Sequence, residues 1–89
     1  MFVDDQLVVI TFDDCYNLDM TLSKIMIPAL KKFREVVDSH PDTLTFEQWK
    51  DVLNTMIAGF EETLKDLPDE KKVEKGLHLF SKHYSHLWM

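Results

Sequence analysis

Apolar residues recur at steps of three and four in three segments of this 89-residue chain, a spacing that predicts three α-helices. Steps of this size bring side chains onto one face, because a helical turn contains 3.6 residues. Pro41 and Pro68 separate the three segments and mark the connections. The chain has only two glycines and three prolines, too few turn formers for a sandwich of many short strands. We therefore expect an all-α fold, a three-helix bundle with a short N-terminal β-strand or extended arm.

The length suits a single domain with one compact core. The apolar stripes predict which side chains build that core. In the first helix they are Leu18, Leu22, Ile25, Met26, Leu30, Phe33 and Val37; in the second, Trp49, Val52, Leu53, Met56, Ile57, Phe60 and Leu64; in the third, Val73, Leu77, Phe80, Tyr84 and Leu87. The expected divisions of the domain 1–89 are an arm at 1–16 with a strand-like stretch at 6–12, and helices at about 18–39, 45–66 and 69–88.

Several residues signal where these helices begin, bend or approach one another. Thr45 and Gln48 have the spacing of a capping box, and Asp69 is placed to cap the third helix. Pro28 lies within the first helix, where loss of a backbone donor predicts a kink or a short break. Gly59 lies inside the second helix at a cost of about 1 kcal/mol relative to alanine. Close approach of another helix would explain it.

Charge is segregated along the chain. The first 23 residues contain five aspartates and no lysine or arginine, and every basic residue lies between Lys24 and Lys82. The formal net charge is −6, and removing these five negative charges leaves −1 for the remainder. An acidic segment of this kind suits contact with a basic protein surface, and the overall acidity disfavours direct binding of nucleic acid or anionic membranes.

The acidic segment has other interpretations. It could protect the edge of the predicted strand and aid solubility, or gather a hard cation such as Mg²⁺, although no loop has the spacing of metal ligands. The aromatic residues near both ends of the chain are candidates for contact with a partner or a second copy, and for Trp88 the alternatives are packing on the arm or in the core. The candidate partner-binding residues are Asp4, Asp5, Asp13, Asp14, Tyr16 and Trp88.

The third helix presents the one basic stripe of the chain, opposite its expected core face. This stripe is either a solvated outer surface or an anion site for a nucleotide or an acidic partner. Its candidate anion-binding residues are Lys71, Lys75, His78 and Lys82, with His86 on the same face.

No catalytic, metal or cofactor constellation is recognisable, so we expect no enzymatic activity and no cofactor. His83 and His86 share a helix face, but two ligands do not complete a zinc site. Cys15 follows Asp14, whose negative charge disfavours a reactive thiolate. As the single cysteine, Cys15 excludes an internal disulfide framework and favours a reducing cytosolic setting. No run approaches the roughly 20 apolar residues of a membrane-spanning helix.

Five ordered blocks stand out together with Leu87 and Trp88, namely residues 14–19, 27–33, 44–49, 53–61 and 76–80. These blocks resemble a family of small bacteriophage proteins that has no assigned activity. The family tends to have tryptophan at the position of Tyr16, and residues before Asp13 do not clearly match it. The resemblance implies an early or accessory phage factor acting in the cytoplasm of the infected bacterium.

Together these features favour a noncatalytic phage protein that binds and antagonises a host protein, and that forms a homo-oligomer through its N-terminal strand or C-terminal aromatics. One alternative is an oligomeric sponge that sequesters a nucleotide signal, with Lys71, Lys75, Lys82 and Tyr16 holding phosphate and base. Another is a structural or accessory component of the phage.

Overall fold

The computed structural model describes residues 11–89 and confirms the all-α, three-helix fold. Its helices are α1 (Leu18–Val36), α2 (Phe46–Glu62) and α3 (Glu70–His83), with short 3₁₀ helices at Asp13–Cys15 and Tyr84–His86. The described residues contain no strand. The strand predicted at 6–12 lies outside them except for Thr11 and Phe12, neither of which is in a strand, and Phe12 has helical backbone angles.

Helix α2 lies between the other two helices and packs against both. The Arg34 guanidinium of α1 donates to the Asn54 side-chain oxygen of α2 at 2.7 Å, and near the other end of the pair the hydroxyls of Ser23 and Thr63 are 2.7 Å apart. The two helices are therefore antiparallel. Among the described residues no Cα of α1 comes within 8 Å of a Cα of α3. The buried apolar side chains belong to α1, to the residue that follows it and to α2: Leu30, Val37, Trp49, Leu53, Met56, Ile57 and Phe60.

The two glycines of the chain meet where α2 crosses α3. A Cβ placed on Gly59 would lie 2.8 Å from the Gly76 Cα, and a Cβ placed on Gly76 would lie 2.7 Å from the Gly59 Cα. Such distances are too short for any side chain, so the backbones touch because neither residue has one. The expected role of Gly59 in close helix approach is confirmed.

This crossing determines which face of α3 is directed inward. Gly76 and His83 are buried, whereas the predicted core residues Leu77 and Tyr84 are exposed. The stripe predicted for α3 is therefore wrong at two of its five positions. Because Gly76 must face α2 to make the contact, its neighbour Leu77 is turned about 100° away. The observed inward residues, Val73, Gly76, Phe80, His83 and Leu87, still follow three- and four-residue steps.

The first turns of α1 also depart from the predicted core. Leu18 and Leu22 are exposed, and the buried residue of this segment is Ser23. Its hydroxyl reaches the Thr63 hydroxyl, which also donates to the Phe60 carbonyl at 2.6 Å. Since α3 does not approach α1, the side chains of Leu18 and Leu22 stay 43% and 49% exposed.

The helix termini confirm the two predicted caps. Thr45 and Gln48 make both bonds of the capping box, at 3.1 Å and 2.9 Å. The Asp69 carboxylate accepts from the Lys71 amide at 3.0 Å at the start of α3. α1 continues through Pro28, so the short break offered there as one alternative is wrong, and the other alternative, a kink, stays a prediction.

Each helix ends earlier than predicted. After α1, the backbone of Val37 is extended, with ψ 136°. After α2, residues 63–65 change to backbone bonds spanning three residues. The Glu62 carboxylate then accepts from Lys65 Nζ and from the Asp69 amide, both at 2.9 Å, and so ties the end of α2 to the start of α3. These bonds hold the pKa of Glu62 below its usual range, chiefly through Lys65.

We expect Gly59→Ala and Gly76→Ala each to destabilise the protein by about 1–2 kcal/mol. Overpacking costs roughly 1–3 kcal/mol, and it should exceed the gain in helix propensity of about 1 kcal/mol because the obstructing atoms belong to the backbone. Urea denaturation followed by circular dichroism measures the change. The control is Ser81→Ala on the exposed side of α3, which should not destabilise. Increased stability of both glycine variants would contradict the account of the crossing.

Candidate functional site

The chain forms a tight turn immediately before α1. The Thr11 amide donates to the Asp14 carboxylate at 2.9 Å, and the Asp14 amide donates to the Thr11 hydroxyl at 3.3 Å. The Thr21 hydroxyl of α1 donates to the Asp14 carbonyl at 3.0 Å. Hydrogen bonding from Thr11, through its amide first, holds the pKa of Asp14 below its usual value, and Lys24 contributes in the same direction. Asp14 is therefore a structural carboxylate of this turn.

Two aromatic rings project from the same turn. Phe12 and Tyr16 are 78% and 72% exposed, and they meet edge to face with centroids 5.2 Å apart. Together with Cys15 they line a small surface cavity of about 170 Å³. Asp13 lies beside them and is exposed. We call residues 11–16 the acidic–aromatic turn; it presents apolar rings and a carboxylate on a hydrogen-bonded frame.

A second group of aromatic and ionisable side chains lies at the opposite end of α1. Trp88 is 67% exposed and contributes to a groove of about 350 Å³ beside the α1–α2 connection. His40 Nδ1 is 2.9 Å from the Pro41 carbonyl, so this nitrogen carries a proton and donates. We call this surface the histidine groove, and its lining residues are Ser39, His40, Pro41, Asp42, His86 and Trp88.

His83 forms the buried support of this groove. Its ring contacts Trp49 with centroids 5.5 Å apart, and its Nδ1 lies 3.2 Å from Nδ1 of His86. A hydrogen bond between two imidazole nitrogens requires one donor and one acceptor, so both rings cannot be protonated while it exists. Burial lowers the pKa of His83, with further lowering from His86 and Lys82.

The predicted basic stripe on α3 is exposed along its length, and only one of its lysines takes part in a cleft. Lys75 and the neighbouring Lys72 line a space of about 260 Å³ between α2 and α3, opposite Asn54, Thr55 and Ala58. We call this space the interhelical cleft.

The structure separates the residues that sequence reasoning had grouped. Asp13, Asp14 and Tyr16 lie before α1, whereas Trp88 lies beyond its other end, so the described part of the arm does not contact Trp88. Tyr16 and Lys75 line different cavities of one chain, and the nucleotide site expected between subunits from Tyr16 and the α3 lysines stays a prediction. Asp4 and Asp5 lie outside the described residues.

Sequence reasoning missed several contributors to these surfaces, among them Phe12, His40, Asn54 and Lys72. Phe12 had been placed in the predicted strand, while Lys72 lies one residue from the predicted stripe, on the side that the rotation of α3 turns toward α2. The four-residue spacing of Phe12 and Tyr16 was the available signal for the aromatic pair.

Comparisons with protein-family models, curated proteins and solved structures found no match to this chain. The resemblance to small phage proteins therefore stays a prediction. Within residues 11–89 no three His, Cys, Asp or Glu side chains are grouped to hold a metal ion. No helix there has the length and apolar character of a membrane span.

The lowered pKa of His83 predicts a specific pH dependence of stability. Folding favours the neutral form of the His83 ring. The contribution of His83 to the free energy of unfolding is therefore complete above its unfolded pKa of about 6.5, and it is lost as the pH falls toward the lower pKa of the folded state. We expect the free energy of unfolding to fall more between pH 7.5 and pH 5.5 in the wild type than in His83→Phe.

Urea denaturation at the two pH values measures this difference. His78→Phe is the matched control, because His78 is exposed on the same helix. It should retain the pH dependence of the wild type. Equal pH dependence in His83→Phe and in the wild type would contradict the assignment to His83.

Proposed function

We propose that this protein is a noncatalytic phage protein that binds and antagonises a host protein in the cytoplasm of the infected bacterium, using the acidic–aromatic turn as its contact surface. The observation that supports this most directly is the exposure of the Phe12–Tyr16 pair next to the Asp13 carboxylate. Large aromatic side chains contribute disproportionately to protein interfaces, and here they are available without rearrangement of the core.

The turn is ordered before it meets a partner, which favours recognition. Its bonds through Thr11, Asp14 and Thr21 hold the backbone from which both rings project. Binding then loses little conformational entropy in this segment. Leu18 and Leu22, exposed on the following turns of α1, extend the apolar area available to a partner.

The charge of the same region indicates the chemistry of the partner. Five aspartates lie in the first 23 residues without any basic residue, so a basic surface on the partner would be complementary. Inhibition by such contact needs no reaction and no cofactor. The exposed Trp88 at the other end of α1 offers a separate surface, and we propose that it contributes to a homo-oligomer.

The first test replaces the aromatic pair. We expect the double variant Phe12→Ser/Tyr16→Ser to bind the host protein captured by the wild type at least about thirtyfold more weakly, since interface hot spots contribute about 2 kcal/mol or more. Val36→Ser, at the far end of α1, is the control for loss of an exposed apolar side chain.

Affinity capture from bacterial lysate identifies the host protein, and calorimetry with the purified partner gives the dissociation constants. Light scattering on both variants shows whether a substitution changes the oligomeric state, so that such a change is not mistaken for weaker binding of the partner. Undiminished binding by the double variant, with Val36→Ser also unchanged, would overturn this assignment of the contact surface.

The second test addresses the charge. We expect replacing Asp4, Asp5 and Asp13 with Asn to slow association with the captured partner several-fold and to flatten its salt dependence, because exposed charges act mainly on encounter. Asp14 is retained because it builds the turn. The matched control neutralises Asp38, Asp51 and Glu70, and association rates by surface plasmon resonance compare the two. Equal slowing in both would show that only net charge matters.

A further inference from the structure

The interhelical cleft is a cationic site on a protein whose net charge is negative. Its space of about 260 Å³ lies between α2 and α3, with Lys72 and Lys75 on one side and Asn54, Thr55 and Ala58 on the other. The two lysines are three residues apart, so they share a face of α3. Both are exposed, and their ammonium groups are available to a ligand from solvent.

In the described part of the chain the cleft cations form no direct ion pair with an acid, and Lys72 acts on Glu62 only through the longer-range attraction that helps to lower the pKa of that carboxyl. Among the described residues, no carboxylate oxygen lies within 4.0 Å of the Lys72 or Lys75 ammonium. The nearby acids at the end of α2 are bound elsewhere: Glu61 pairs with Lys31 at 3.3 Å, and Glu62 pairs with Lys65 at 2.9 Å.

Asn54 adds an oriented donor to the two cations. Its side-chain oxygen accepts from the Arg34 guanidinium at 2.7 Å, and because arginine has only donors, the oxygen must face Arg34. The amide NH₂ of Asn54 is then left to donate. Arg34 also brings a third positive charge next to the cleft. Thr55 donates its hydroxyl proton to the Asp51 carbonyl at 2.9 Å, so toward the cleft it offers an acceptor.

The glycine crossing gives this arrangement its shape. Contact between Gly59 and Gly76 brings the helix backbones together directly beside the cleft, and the Thr55 carbonyl is itself one of the atoms close to Gly76. Residues of α2 and α3 are therefore held at a short and constant separation. Ala58, whose side chain is a single methyl group, leaves the space between them open.

We propose that the interhelical cleft binds a phosphate group, with Lys72, Lys75 and the Asn54 amide as its ligands. The size of the cleft suits one or two phosphates, and the convergent donors match anionic oxygens. No aromatic ring lines it, so a nucleobase gains no stacking partner there. Recognition is therefore of phosphate, whether from an inorganic polyphosphate or from a nucleotide. This site is independent of the acidic–aromatic turn and of the function proposed for it.

The test uses isothermal titration calorimetry of the full chain with inorganic pyrophosphate, in parallel with ADP. We expect pyrophosphate to bind at low salt and more weakly at physiological salt, because partly exposed charges are screened. Lys72→Gln/Lys75→Gln should reduce the affinity about tenfold or more, since each lost charge-assisted bond is strong. The control Lys71→Gln/Lys82→Gln removes the same charge outside the cleft and should change the affinity less than about threefold.

Asn54→Asp gives an independent measure, because it replaces the donating amide with a carboxylate while preserving an acceptor for Arg34. This variant should no longer bind pyrophosphate. Its circular dichroism spectrum should match that of the wild type, which shows that the fold is retained. Similar affinities for pyrophosphate and ADP would support recognition of phosphate alone. The proposal is overturned if the wild type does not bind pyrophosphate, if both lysine pairs reduce affinity equally, or if ADP binds more than about tenfold tighter than pyrophosphate.

Discussion

The contact between Gly59 and Gly76 is the constraint on which the rest of this structure depends. Two backbones can touch only where neither helix carries a side chain, and the chain has one glycine in each of the two helices that do so. Because the crossing passes through Gly76, the rotation of α3 about its axis is determined. His83 is then directed toward Trp49, and Leu77 and Tyr84 are directed outward.

α2 occupies the centre of the fold and contributes most of the buried residues. Seven of its residues are buried, more than in either neighbouring helix. α1 and α3 each cover one side of α2 without meeting each other. The small domain therefore leaves a considerable part of its apolar surface exposed, including the first turns of α1 and the aromatic pair before it. A surface of this kind is what a binding protein requires, and it is consistent with the noncatalytic function that we propose.

The two binding surfaces that we infer differ in charge and in origin. The acidic–aromatic turn is a local structure, since Thr11, Asp14 and Thr21 form it within eleven residues of the chain. The interhelical cleft depends on long-range packing, because its two sides belong to different helices. The local surface suits a basic protein partner, whereas the cleft suits a small anion.

The sequence by itself determined the helical class, the approximate segments and the capping signals, because these depend on periodicity and on residues close together in the chain. The capping box at Thr45 and Gln48 and the cap at Asp69 are examples of purely local chemistry. The burial of α2 was also foreseeable, since its apolar stripe is continuous from Trp49 to Phe60. The role of Gly59 in close approach followed from the cost of glycine within a helix.

Only the tertiary structure decided the rotation of α3 and the composition of the sites. Periodicity alone could not choose between the stripe through Leu77 and Tyr84 and the stripe through Gly76 and His83, because both have steps of three and four residues. Hydrophobicity favours the first, whereas backbone contact with Gly59 requires the second. The same contact placed Lys72 and Lys75 in the cleft and left Lys71 and Lys82 outside it, because a helix that must bring Gly76 against Gly59 has only one rotation about its axis.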